Sequence, residues 1–131
     1  MINVVGAVMV KCDKVYIFKR ADCLRSMPGY FEFPGGKVEQ YEMFKYALKR
    51  ELSEELKINV DINNIHEFPN NVFKNEKLFL KLYIINEWTN DITIDPEIHS
   101  EYKIINKNEL MNINNLLETD KTLIPSILDT I

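Results

Sequence analysis

The chain has 131 residues, 46% hydrophobic, 11% aromatic and 27% charged, proportions that suit one compact domain over residues 1–131 and exclude a fibrous or wholly disordered chain. A formal net charge of −4 argues against sequence-independent binding to a nucleic acid polymer, while small anionic substrates stay open if cations accompany them. The longest apolar run, residues 4–10, is far below the roughly 20 residues that span a bilayer, so no membrane partner is expected. The first residues carry neither a basic leader nor a cleavage site, and a cytoplasmic location is expected. Cys12 and Cys23 lack metal-site spacing and read as reduced thiols.

In chain order, residues 3–10 and 14–19 are rich in Val, Ile, Tyr and Phe and flank a turn, predicting two strands. Residues 21–29 break into Asp, Cys, Arg, Ser, Pro and Gly, a surface loop leading to Tyr30-Phe31-Glu32-Phe33 and the pair Gly35-Gly36. Residues 42–57 hold no Gly or Pro and place Phe44, Ala47, Leu48, Leu52 and Leu56 on one helical face. Strands follow near 58–62, 65–74 and 77–87, the last two joined as a hairpin at Asn75-Glu76, with another near 102–105. Short helices are predicted over 108–116 and 120–131, Pro125 being tolerable in a first turn. This order gives a mixed sheet with one central and one terminal helix, hence α/β or α+β.

At about 100° per residue, Glu51 and Glu55 fall inside the apolar arc of the central helix and Glu54 lies on its margin. One reading is a solvated acidic face with Arg50 paired to Glu54. However, Lys45, Lys49 and Lys57 lie mostly on the other side, and a divalent cation would turn mutually repelling carboxylates into a site. Oxygen-only ligands favour magnesium or manganese over zinc. Gly35-Gly36 either makes a tight turn or lets backbone approach a ligand closely.

Together Gly36, Glu42, Arg50, Glu51, Leu52, Glu54, Glu55 and Ile58 resemble the Nudix box, G-x5-E-x7-R-E-U-x-E-E-x-G-U, where U is a bulky aliphatic residue. Residues 31–39 resemble the MutT-type branch, whose members clean nucleotide pools by hydrolysing nucleoside triphosphates. The resemblance implies a Nudix-type α/β/α sandwich, with a mixed sheet, a central box helix and a C-terminal helix. It also implies a nucleoside triphosphate pyrophosphohydrolase that uses Mg²⁺, with Mn²⁺ as a substitute. Water would attack the β-phosphorus to give a nucleoside monophosphate and pyrophosphate.

In that scheme the Gly35 carbonyl, Glu51, Glu54 and Glu55 hold the cation, Arg50 orients Glu51, and Glu42 supports the cluster. A box glutamate such as Glu54, or one from a later loop, is the general base. A further acidic ligand is expected from residues 96–102. There Ile98 stands where the family has Glu, leaving Glu97 after a one-residue shift and Glu101 behind it, or else ordinary loop acids. His66 and His99 read as structural or exposed. For the substrate, Arg20 resembles a phosphate-contacting arginine and Phe33 stands where the branch packs a base. Asp120 is either a base-edge reader or a helix N-cap. Lys57 replaces the box's last glycine, so an altered helix end is expected with the chemistry intact. The implied substrate is 8-oxo-dGTP, with CTP, dCTP or another triphosphate as the alternative. A module that binds nucleotide without hydrolysis would be expected to lose box acids, and this chain keeps them all.

Overall fold

A computed structural model describes the whole chain, Met1–Ile131. Strands β1 (Ile2–Lys11) and β2 (Lys14–Arg20) form a hairpin. Cys12 and Asp13 have φ of 52° and 61°, the paired positive values that a two-residue turn needs to match strand twist. There follow β3 (Phe31–Glu32), β4 (Gly35–Lys37), helix α1 (Phe44–Leu56), β5 (Ile65–His66), β6 (Val72–Lys74), β7 (Leu78–Ile85) and β8 (His99–Ile105). The chain closes with α2 (Lys107–Met111), α3 (Glu118–Lys121) and α4 (Ile124–Thr130).

β1 is the spine of the mixed sheet, antiparallel to β2 and β4 and parallel to β7 along Ile2–Met9. β2 carries β3 and β8, and β7 carries β5 and β6. Alternation along β1 divides the core. Val5, Ala7 and Met9 pack with Phe18 against Ala47, Leu48, Leu52 and Leu56 of α1. On the other face Val8, Val15, Ile17 and Leu82 pack against Leu110, Leu123, Ile124 and Ile127 of the C-terminal helices. The result is the expected sandwich, α+β in class, with α1 held across one face by its apolar stripe.

Several elements differ from the sequence-based expectation. Residues 58–62 form no strand: Asn59 makes one isolated bridge to Thr89, and Asp61 caps a single 3₁₀ turn by accepting the Asn63 N–H at 2.8 Å. Such short polar side chains compete for backbone groups that a ladder would otherwise use. The predicted strand 65–74 is cut in two by Pro69 and by Asn70, whose φ is 55°. The last strand starts at His99 rather than 102. α2 opens one residue earlier than predicted through a capping box of Asn106 and Glu109 and ends at Met111, five residues short of the predicted end. The terminal helix is two pieces, with Pro125 in the first turn of α4.

Candidate active site

β4 and α1 meet without intervening side chains. A Cβ at Gly35 would strike the Val5 carbonyl and Gly6 Cα of β1, and one at Gly36 would lie 2.6 Å from Glu51 Oε1. Glycine at 35 lets β4 lie close against β1, and glycine at 36 lets the helix lay Glu51 directly on the strand. Arg50 then fixes them. It donates Nε and Nη2 to the two Glu42 oxygens at 2.8 and 2.9 Å, Nη1 to Glu51 Oε1 at 3.0 Å and to Glu54 Oε2 at 3.4 Å, and Nη2 to the Lys37 carbonyl at 3.1 Å. The bidentate Arg50 pair is the chief reason that the Glu42 carboxyl is lowered to about 2, aided by the Glu39 N–H.

The inner acids behave oppositely. Glu51 is partly buried, and burial raises its pKa despite Arg50. Glu55 lies deeper. Burial first, then the charges of Glu32 and Glu51, push it up to about 9, against the pull of the Gly35 N–H. Its Oε2 is buried and has no hydrogen-bond partner. A buried carboxyl with an orphaned oxygen, beside a second carboxyl and the Gly35 backbone, is a donor set that a hard divalent cation satisfies. The residues present therefore fit such an ion. Glu54 projects outward, its side chain 61% exposed.

The outer ligand expected from the later loop is not brought in. Glu97 is exposed on the turn before β8, its backbone held by Asp95 Oδ1 and its carbonyl accepting from Cys23 Sγ at 3.6 Å. Glu101 is exposed opposite Lys19. No three acidic, histidine or cysteine side chains converge as a closed metal sphere, because Arg50 draws Glu51 and Glu54 toward itself and Glu97 points its backbone rather than its carboxylate at the neighbouring loop.

Sequence reasoning missed Glu32. Phe31 and Phe33 enter the core under the C-terminal helices, so strand alternation turns Glu32 to the α1 face, opposite Phe18; that alternation was the available signal. Glu32 accepts Arg20 Nη1 at 2.9 Å and pairs with His99 Nε2 at 2.8 Å. His99 is fully buried against the Phe18 ring, whereas His66 is exposed. Arg20 also donates Nε and Nη2 to the Ser26 carbonyl at 3.0 and 2.8 Å, so its guanidinium is committed to the protein rather than held free for a phosphate. The Phe33 ring is part of the core, 5% exposed, and is not an open stacking platform. Asp120 is no helix cap, since α3 begins after Leu117. It is buried, accepts the Phe33 N–H at 3.1 Å, and is raised to about 7 chiefly by burial.

The sequence matches the family model of the NUDIX domain over residues 2–127. The chain belongs to the Nudix family. Among curated proteins it is 38% identical over 89 residues to an 8-oxo-dGTP diphosphatase of Proteus vulgaris, spanning 67% of this chain and 78% of that one. An 8-oxo-dGTP diphosphatase of Buchnera aphidicola subsp. Schizaphis graminum is 36% identical over 86 residues, 66% of this chain and 64% of its own. Among solved structures, the Escherichia coli ORF135 protein superposes with a TM-score of 0.83 at 25% identity, covering 98% of this chain and 89% of that one. A MutT Nudix hydrolase from Burkholderia pseudomallei gives 0.81 at 18% identity over 96% and 97%. The chain is a Nudix hydrolase of the MutT-like kind, a small-molecule nucleotide substrate is consistent with that family, and the family generally uses divalent metals.

The Nudix helix ends on Lys57, and its end is not altered as expected. Lys57 itself takes the left-handed cap, φ 61° and ψ 25°, and donates its N–H to the Ser53 carbonyl at 3.2 Å. Its Nζ donates to the Glu54 carbonyl at 2.9 Å, satisfying one of the carbonyls a helix end leaves open. The lysine thus offsets part of the roughly 1 kcal/mol cost of a non-glycine residue in that conformation.

Proposed function

We propose that this Nudix hydrolase is a Mg²⁺-dependent nucleoside triphosphate pyrophosphohydrolase, NTP + H₂O → NMP + PPi, with 8-oxo-dGTP as the leading substrate and nucleotide-pool sanitation, a form of DNA repair, as its role. The observation that carries the reading is the Glu51 carboxyl against Gly36 beside the buried Glu55 carboxyl, which meets the Gly35 N–H and keeps one oxygen without a hydrogen-bond partner. The Gly35 carbonyl, Glu51, Glu54 and Glu55 would hold the ion, and Mn²⁺ would substitute. When bound, such a cation neutralises triphosphate charge and makes water a better nucleophile. Arg50, locked by Glu42, holds Glu51 in position. Glu54, exposed and only loosely held by Arg50 at 3.4 Å, is the carboxylate free to take the water's proton.

The relatives named 8-oxo-dGTP diphosphatase support the oxidised purine. Asp120 favours a second reading, CTP or dCTP by the same reaction, because the oxidised-guanine hydrolases that this chain resembles commonly carry an Asn near this position, and a carboxyl in place of that amide changes what a base edge must donate or accept. The test is pyrophosphate release with Mg²⁺ across normal and oxidised triphosphates, with Glu54→Gln and Glu55→Gln alongside. A marked preference for 8-oxo-dGTP, lost by about 10²-fold or more in both variants, is expected. Turnover unchanged in both variants refutes the roles, and preference for a cytosine triphosphate transfers the substrate assignment to the second reading.

A further inference from the structure

The outer edge of β8 is the one long unpaired edge of the sheet. The other outlying strands, β3, β4, β5 and β6, are two or three residues long, whereas β8 has seven. No element covers it, and its residues 100–104 are all exposed, including Tyr102 at 38% and Ile104 at 49%. Backbone parity identifies what that edge offers. The two-residue turn at Cys12-Asp13 makes Lys11 and Lys14 a hydrogen-bonded pair, so even-numbered residues of β2 bond toward β1 and odd-numbered ones toward β8. The partners of Val15, Ile17 and Lys19 on β8 are Ile105, Lys103 and Glu101. Tyr102 and Ile104 therefore point their N–H and C=O groups outward, a template for another strand, and the regular edge ends at Ser100, where the register of β8 on β2 shifts by one residue between Lys19 and Arg20.

We propose that this edge pairs antiparallel with the same edge of a second copy of the chain, about a two-fold axis at Tyr102. The sequence Glu101-Tyr102-Lys103 is self-complementary in that register. Glu101 of each copy faces Lys103 of the other, both on the sheet face that carries Phe31, where Lys103 Nζ lies 5.2 Å from the ring. Tyr102 meets its symmetry mate on the opposite face, where it already stacks on Tyr16 and packs against Phe18. A C₂ pairing of this kind is isologous and closes on itself, so the edge is consumed without forming fibres. A lysine on a solvent edge normally deters strangers; here it selects the copy that brings a glutamate opposite. His99, at the start of the same strand, pairs with Glu32, so the dimer would stiffen the strand that borders the acidic site.

The experiment is sedimentation velocity of the full chain across about two decades of concentration into the millimolar range, since a contact this small gives at most micromolar affinity. A reversible dimer is expected for the parent chain. Lys103→Glu and Glu101→Lys should each weaken it at least tenfold by setting like charges opposite. Mixing the two variants should restore it, because each then supplies the charge that the other needs. That recovery also proves both variants folded. Ile104→Pro, which removes an outward N–H and leaves the bonds to β2 intact, should abolish the dimer, with circular dichroism checking the fold. A parent chain that stays monomeric throughout overturns the proposal. So does a dimer indifferent to Ile104→Pro, or a mixture that fails to recover.

Discussion

Burying three carboxyl groups beside one another opposes folding unless something takes up the charge, and here the chain uses two different answers. Glu42 and the outer oxygen of Glu51 are answered by Arg50; Glu55 is answered by a proton, its pKa held at about 9. Replacing Glu55 by Gln should therefore leave the metal-free melting temperature unchanged or higher, because the amide needs no proton to be buried at that place. The same change should weaken divalent-cation affinity about 10-fold to 100-fold or more, read by calorimetry with Mn²⁺. A parallel loss of stability would mean that Glu55 is structural. Asp120 gives the complementary test. Its folded pKa of about 7 lies above its ordinary 3.8, so its contribution is fully present below about 3.8 and is lost as pH rises through about 7. Relative to Asp120→Asn, whose amide oxygen still accepts the Phe33 N–H, the parent chain should lose stability steadily between about pH 4 and pH 7 and then run parallel, measured by urea unfolding. Glu51, Glu54 and Glu55 were legible in the sequence because helical spacing alone clusters them. Glu32 was not singled out, because its significance lies in Arg20 and His99, distant in sequence and brought to it by strand pairing.

At the scale of the element, α1 was legible almost to the residue, since an amphipathic stripe without Gly or Pro admits one reading. Residues 58–62 were not, since Ile58 and Val60 alternate like a strand while Asn59 and Asp61 bond to neighbouring backbone. The end of α1 carries its own prediction. Lys57→Gly relieves a left-handed φ of 61° and forfeits the Nζ bond to the Glu54 carbonyl, so a net gain of about 0.5–1 kcal/mol is expected in thermal or urea unfolding. A net loss would show that the lysine is the better cap in this context. Gly36→Ala tests the opposite end of the motif. The added methyl collides with the Glu51 carboxylate, which must leave Arg50 Nη1 or push β4 from α1. Turnover should fall with the cation affinity, while the far face of the sheet, probed by near-ultraviolet circular dichroism, keeps its packing.

In the whole molecule one sheet separates two cores, and only one of them backs the acidic helix. Leu52 of α1 and Ile127 of α4 are both fully buried, on opposite faces. Truncating either to Ala should cost about 2–5 kcal/mol, because each leaves a cavity that close-packed neighbours only partly fill. Leu52 follows Glu51 directly and shares the helix with Glu54 and Glu55, so a shift of that turn toward the void displaces the carboxyl groups from Gly35 and Gly36. Ile127 lies beneath the sheet, and the β1 ladder stands between it and the acids. Leu52→Ala should therefore lower cation affinity and turnover as well as stability, and Ile127→Ala should lower stability with cation affinity held. Both are to be measured well below each variant's melting temperature, by Mn²⁺ calorimetry and pyrophosphate release. Equal loss of cation affinity in the two variants would mean that the sheet transmits strain between its faces, and that the acids depend on the whole sandwich rather than on the seat of α1.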